Sequence, residues 1–186
     1  MTLNELLQTM HVWLTEETFS NQISNKEGVP PFILTILGPD EKERERTLKL
    51  SPRLQETGEA LTKNPSPAII SLEFLHELPF SVKEEAAKDV ASLLHFINND
   101  LYLPGFHLNE AEGKVSFRHF NYSGIHGIDK KLLIGVTGLI LLYLDLYSNI
   151  IEDVATGKRS FNEVLEEIVK TFKIILGKQA STASST

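Results

Sequence analysis

The feature that most limits the fold is a 13-residue apolar run, Leu132 to Leu144 (LLIGVTGLILLYL), inside a helical pattern from about Ile128 to Val154. A bilayer-spanning helix needs about 20 apolar residues, and Asp145 ends this run. It therefore reads as the buried helix of a soluble, cytoplasmic domain. At about 100° per residue, Ile128, Leu132, Leu133, Val136, Leu139, Ile140, Tyr143, Leu144, Tyr147, Ile150, Ile151 and Val154 cover one broad face, which calls for a sheet to lie on. Ile134, Leu141 and Leu142 fall on the reverse side, beside Gly135 and Gly138. That side also needs cover, and glycine lets another backbone come close. The cover is either the last helix of the same chain or a partner, including a second copy.

The sheet comes from the preceding segments. Thr2-Leu-Asn-Glu5 is a capping box, and Leu3, Leu6, Leu7, Met10, Trp13 and Leu14 follow at helical spacing to about residue 16. Asn21 to Pro31 reads as a loop, and Phe32 to Leu37 as a strand stopped by Gly38-Pro39-Asp40. Glu43 to Leu50 suits an exposed strand whose charges deter edge pairing. Arg53 to Pro67 reads as a long loop, and Ala68 to Leu75 as a third strand ended by Pro79. A second capping box, Ser81-Val-Lys-Glu84, opens a helix with Val82, Ala86, Val90, Leu93, Leu94 and Ile97 on one face. A hairpin follows, and a two-residue turn at Glu112-Gly113 pairs Leu108 with Phe117 and Asn109 with Ser116. Tyr122 to Gly127 is a glycine-rich turn before the long helix.

A third capping box, Ser160-Phe-Asn-Glu163, starts a last helix over 160–176. Its stripe includes Phe161, Leu165, Ile168 and Phe172, and the short turn Ala155 to Arg159 suits a helical hairpin. These four residues are expected to pack on Ile134, Leu141 and Leu142, within the chain or across a dimer. The whole reads as one α+β domain over 1–177, with a disordered polar tail at 178–186. It is a two-layer sandwich, with a five-stranded mostly antiparallel sheet and helices on one face.

The order α-β-β-β-α-β-β-α, with an added C-terminal helix, resembles the type III secretion chaperone-like (Tir chaperone-like) fold, and within it the YbjN-like family. The residues that carry the resemblance are Phe96-Ile-Asn-Asn99, Gly105-Phe-His-Leu108, Gly113-Lys-Val-Ser-Phe117 and Leu141-Leu-Tyr-Leu144. It spans 68–155 well and 1–67 weakly, and is similar to an uncharacterised cyanobacterial group. It implies a non-enzymatic protein-binding or regulatory module, often a homodimer, with no catalytic residues to carry over.

The residues themselves supply no reaction centre. There is no Cys, so disulfides, thiolate catalysis and zinc-thiolate sites are excluded. His11, His76, His95, His107, His119 and His126 include no i, i+4 helical pair of the kind that holds a metal. Ser123-Gly-Ile-His126 lacks the G-x-S-x-G elbow of a hydrolase. The carboxylate pairs Glu84-Glu85, Glu152-Asp153 and Glu166-Glu167 fall on solvent faces. The net charge is −7, with no basic cluster, which argues against nucleic-acid and electrostatic membrane binding. A protein-binding module without a cofactor is the expectation, and a small-ligand-binding regulatory domain, with a pocket between sheet and helices, is the alternative.

Overall fold

The computed structural model describes residues 2–55, 69–124 and 127–171. Among them are helices α1 (Leu3–Glu16), α2 (Ala87–Asp100), α3 (Lys130–Ala155) and α4 (161–171). The strands are β1 (Asn21–Ser24), β2 (Phe32–Pro39), β3 (Glu45–Gln55), β4 (Ile69–Ser81), β5 (Phe106–Asn109) and β6 (Lys114–Gly124). The six form one antiparallel sheet in the order β1-β2-β3-β4-β6-β5. The domain is α+β. The expected loop at 53–67 and tail at 178–186 fall mainly or wholly outside the described residues.

The count of six rather than five comes from β1, inside the segment read as a loop. Its four residues pair with Phe32 to Thr35, which places it at one edge. Four residues with a single apolar side chain, Ile23, leave too little alternation to register as a strand. β3 is not an exposed edge strand but lies between β2 and β4. Arg46, Leu48 and Leu50 turn to the core with 6%, 0% and 0% exposure, while Glu45, Thr47 and Lys49 take the other face. Arg46 tolerates burial because it donates to the carbonyls of Gly38 and Pro39 and to Asp145 Oδ1 at 2.5 Å.

β4 runs through Pro79 instead of stopping there. The β3–β4 ladder has already ended at Lys49 and Leu75, and the β4–β6 register slips between Glu77 and Ser81, so no regular ladder bond is asked of Pro79. Ile70, Leu72, Phe74, His76, Leu78 and Phe80 all point to the helix side. The strand claims Ser81, which pairs with Lys114, so the second capping box does not form. A 3-10 turn (Glu84–Ala86) leads into α2 without a side-chain cap. The other two boxes form, with Thr2 on Glu5 and Ser160 on Glu163.

The hairpin is offset by two residues from expectation. Phe106 pairs with Phe117 and Leu108 with Val115, across a loop of residues 110–113. Gly113 takes φ +60 in that loop, as the turn requires. A slip of two keeps every side chain on its face, so Phe106, Val115 and Phe117 remain buried.

The loop between β2 and β3 is pinned to α3 by charge. Arg44 bonds both carboxylate oxygens of Glu152, at 3.2 and 2.8 Å, and Asp40 Oδ2 at 2.7 Å; Lys42 reaches Glu152 Oε2 at 2.8 Å. Glu152 is therefore buried, not on a solvent face. Its hydrogen bonds from Arg44 hold its carboxyl below the ordinary range against the opposing effect of burial.

Beyond the end of the β3–β4 ladder, His76 fills the gap by donating from Nδ1 to the Thr47 carbonyl at 2.8 Å. Burial pushes its pKa down, and the Arg46 charge adds to that. The neutral ring is thus favoured in the folded state, and its contribution is fully present above the unfolded value of about 6.5 and lost as pH falls below it. Thermal stability is expected to fall between about pH 7 and about pH 5, and less steeply in His76→Gln. His119, also lowered by burial, retains part of the slope. Parallel melting-temperature slopes for the two proteins would refute the assignment.

Candidate interaction surface on the long helix

Helix α3 starts at Asp129, whose Oδ1 accepts from Leu132 N at 3.0 Å, and ends at Thr156 and at Gly157 with φ +70. Gly135 and Gly138 lie inside the 26 residues between without breaking the helix. Leu133, Val136, Ile140, Leu144, Ile151 and Val154 enter the core at 5% exposure or less. This core face is narrower than the sequence pattern suggested, because Leu132 and Leu139 are 44% and 37% exposed.

With Leu142 at 49% and Leu146 at 59%, these leucines form a solvent-facing stripe. Gly135 lies within it and Gly138 beside it, and a Cβ built on either meets nothing within 4 Å. Leu146 was absent from the sequence expectation. The signal that could have found it is the spacing 132, 135, 139, 142, 146, which alternates 3 and 4 and defines a seam narrower than the full apolar face.

The residues expected to form one packed surface are divided. Ile134 and Leu141 are half-buried and pack against the core, whereas Leu142 is exposed. Helix α4 docks elsewhere. Phe161 sets its ring edge-on to Phe96 of α2, with centroids 6.4 Å apart, and its backbone N donates to Asp89 Oδ2 at 3.1 Å. Val164 is 1% exposed, and with Ile168 it lines a groove beside Ile150. Leu141 lies nine residues before Ile150, half a turn round the helix at about 100° per residue. The flank that receives α4 is therefore opposite Leu141, and Ile134, seven residues before Leu141, lies on Leu141's side and not on that flank. Leu165 is half-buried, and Phe172 lies outside the described residues. The apolar stripe of α4 meets α2 and the end of α3 because α2 offers Phe96.

Other constellations offer less. Among the described residues no three His, Asp or Glu side chains converge on a metal-sized site. Ser123 lies in β6 opposite Ile70, in extended backbone rather than a turn, and His126 is outside the described residues. On the sheet face away from the core, Glu73 is 6% exposed and held by Arg118 at 2.6 Å and Arg53 at 3.4 Å, so its charge is matched. The best-formed depressions hold about 230 to 380 Å³ and are open to solvent; the 380 Å³ one sits at Val82, Lys83, Leu108 and Gly113. A small-molecule site normally encloses most of its ligand. Helix α3 is long and apolar enough by composition to cross a membrane, its 18-residue apolar window having a mean hydropathy of 1.6, but its inner face is built into the core described above.

No protein-family model matches the chain, and no curated protein matches it. Among solved structures it is similar to an uncharacterised protein from Methanothermobacter thermautotrophicus. The identity is 14% and the TM-score 0.47, over 80% of this chain and 97% of that one.

Proposed function

We propose that the chain is a non-enzymatic protein-binding module, chaperone-like or regulatory and of the YbjN-like, type III secretion chaperone-like kind, that engages its partner through the solvent side of α3. The observation that supports this reading is the stripe Leu132, Leu139, Leu142 and Leu146, four large apolar side chains in line on one helix and 37% to 59% exposed. Scattered single leucines are ordinary on a protein surface; an aligned row along four turns marks an interaction face. A helix face of this kind recognises an amphipathic helix or groove through anchors at i, i+3 and i+7.

The test is Leu142→Arg. Because Leu142 is about half exposed, its melting temperature should stay close to wild type, as surface changes cost at most about 0.5 kcal/mol. Proteins cross-linked to the wild-type chain in its native cytosol, its own copies included, should be lost from the variant. A folded variant that retains the same set of partners would refute the reading.

A further inference from the structure

We propose that the face of the sheet turned away from the helices is a second binding site, for single-stranded RNA. Its bases stack on Phe120 and Tyr122, and its phosphates are held by Arg118, Arg53 and Lys49. This goes beyond the protein-binding reading, because α3 lies on the other side of the sheet.

The pattern on β6 is the first support. Arg118, Phe120 and Tyr122 alternate along the strand, so all three share one face. They stand opposite Leu75, Glu73 and Ser71 of β4, away from the buried Phe74 and Leu72. Among the described residues, neither ring belongs to the hydrophobic core. A basic residue followed by aromatics at alternate positions of a strand is the arrangement by which open sheets read RNA.

The rings are presented for stacking. Phe120 and Tyr122 lie nearly parallel, at 21°, with centroids 6.5 Å apart. That matches the pitch of about 6.6 Å between alternate strand residues, so each ring can take a base of its own. Tyr122 is 61% exposed. Stacking of this kind tolerates any base, because every base has a π-face.

The cations flank the rings. Arg118 Nε and Arg53 Nη2 share the buried Glu73, at 2.6 and 3.4 Å. Two guanidiniums on one carboxylate leave a positive charge over, and each has N–H donors beyond the one that Glu73 takes. The Arg118 guanidinium also lies 4.8 Å from the Phe120 ring centroid. Lys49 stands in one row with Leu75 and Arg118, and Arg53 in one row with Ser71 and Tyr122. With strands about 4.8 Å apart, each of these cations is roughly 10 Å across the sheet from its row partner on β6.

The strands of this face carry four cations, Lys49, Arg53, Lys114 and Arg118, against three carboxylates, Glu73 among them. The face is locally positive on a chain of net charge −7. No basic run marks it in the sequence, because the cations come from β3 and β6 with β4 between them.

The test is fluorescence anisotropy of the full chain with a labelled single-stranded RNA of about ten nucleotides, within the span of a single-strand site. Binding should weaken with salt at a log–log slope of about −1.4 to −2.1, the value for two or three phosphates on a single strand. Tyr122→Leu should weaken it by about fivefold or more, with a melting temperature near wild type, and Tyr122→Phe should bind as wild type. Lys49→Gln should weaken binding to all sequences alike and make the slope shallower by about 0.7. Leu142→Arg, on the other side of the sheet, should leave RNA binding unchanged.

No binding at about 50 mM salt overturns the proposal, as does a Tyr122→Leu variant that binds as wild type. A duplex of the same sequence bound as tightly shows that no base is stacked, and overturns it. Polyglutamate that displaces the RNA at equal charge concentration reduces the face to a general anion or acidic-peptide surface and overturns it too. Loss of RNA binding in Leu142→Arg places the RNA on α3, with the same consequence.

Discussion

Replacing Phe117 by alanine is expected to lower the unfolding free energy by about 3–5 kcal/mol, the largest single-residue loss the core should show. Phe117 is fully buried on β6. Its ring meets Phe106 of β5 edge-on at 5.0 Å and 87°, and lies tilted against Tyr143 of α3 at 6.3 Å. Phe106 in turn packs edge-on against Tyr147 at 6.2 Å. The one ring thus ties the edge hairpin to the long helix. Its neighbours cannot collapse into the void, because Phe106 is held in the ladder and both tyrosines are on a continuous helix. The loss therefore includes the cavity as well as the transfer of the ring.

Gly105 shows how closely the ring is fitted. A Cβ there would stand 2.9 Å from the end of the Phe117 ring and 2.8 Å from the Arg118 carbonyl oxygen. Chemical denaturation should show a lower midpoint with an unchanged slope, since the surface exposed on unfolding hardly alters. A loss below about 1 kcal/mol would mean that the site repacks and that the hairpin is not anchored as described.

The parts of the fold that could be read in the sequence are those in which one local pattern acts alone. The periodicity of α1 and of α3, and the capping boxes at Thr2 and Ser160, depend on residues three or four apart, and nothing distant competes with them. Ser81 shows the contrary case. Its box is as good in sequence, but pairing with β6 extends β4 through that residue, and a ladder bond outweighs a cap. β1 could not be read because its four residues gain stability only from β2. Arg46 misled for the same reason: its burial depends on Asp145, 99 residues away.

The interaction face was only partly legible. An apolar helix with two faces needs two covers, and that much the pattern carried. Which flank α4 would take depended on Phe96 of α2, and the solvent seam emerged only when Leu132 and Leu139 proved to lie outside the core.

Asn98→Ala is expected to cost about 2–4 kcal/mol, a large effect for a single polar side chain. Asn98 stands near the end of α2, in the Phe96-Ile-Asn-Asn99 stretch, and reaches across to the start of β5. Its Oδ1 accepts from Gly105 N at 3.2 Å and from Phe106 N at 3.1 Å, and its Nδ2 donates to the Phe106 carbonyl at 2.8 Å. β5 is an edge strand and pairs only with β6, so no second ladder can take over these three groups. Gly105 and Phe106 are both buried, and water reaches them poorly. Removing the amide leaves three backbone groups short of partners, each worth about 1–3 kcal/mol when stranded, with partial relief at the sheet edge.

Asn98→Asp separates the two roles of the amide. The carboxylate can still accept from both N–H groups, but it loses the donor and sets a charged oxygen against the Phe106 carbonyl. Its loss should be smaller than that of the alanine variant and should shrink further as the acid is protonated at low pH. Amide exchange at Phe106 and His107, followed beside a denaturant melt, should accelerate in both variants before the global loss accounts for it. Stability within about 0.5 kcal/mol of wild type in Asn98→Ala, or unchanged exchange in β5, would show that the strand is held by its pairing with β6 alone.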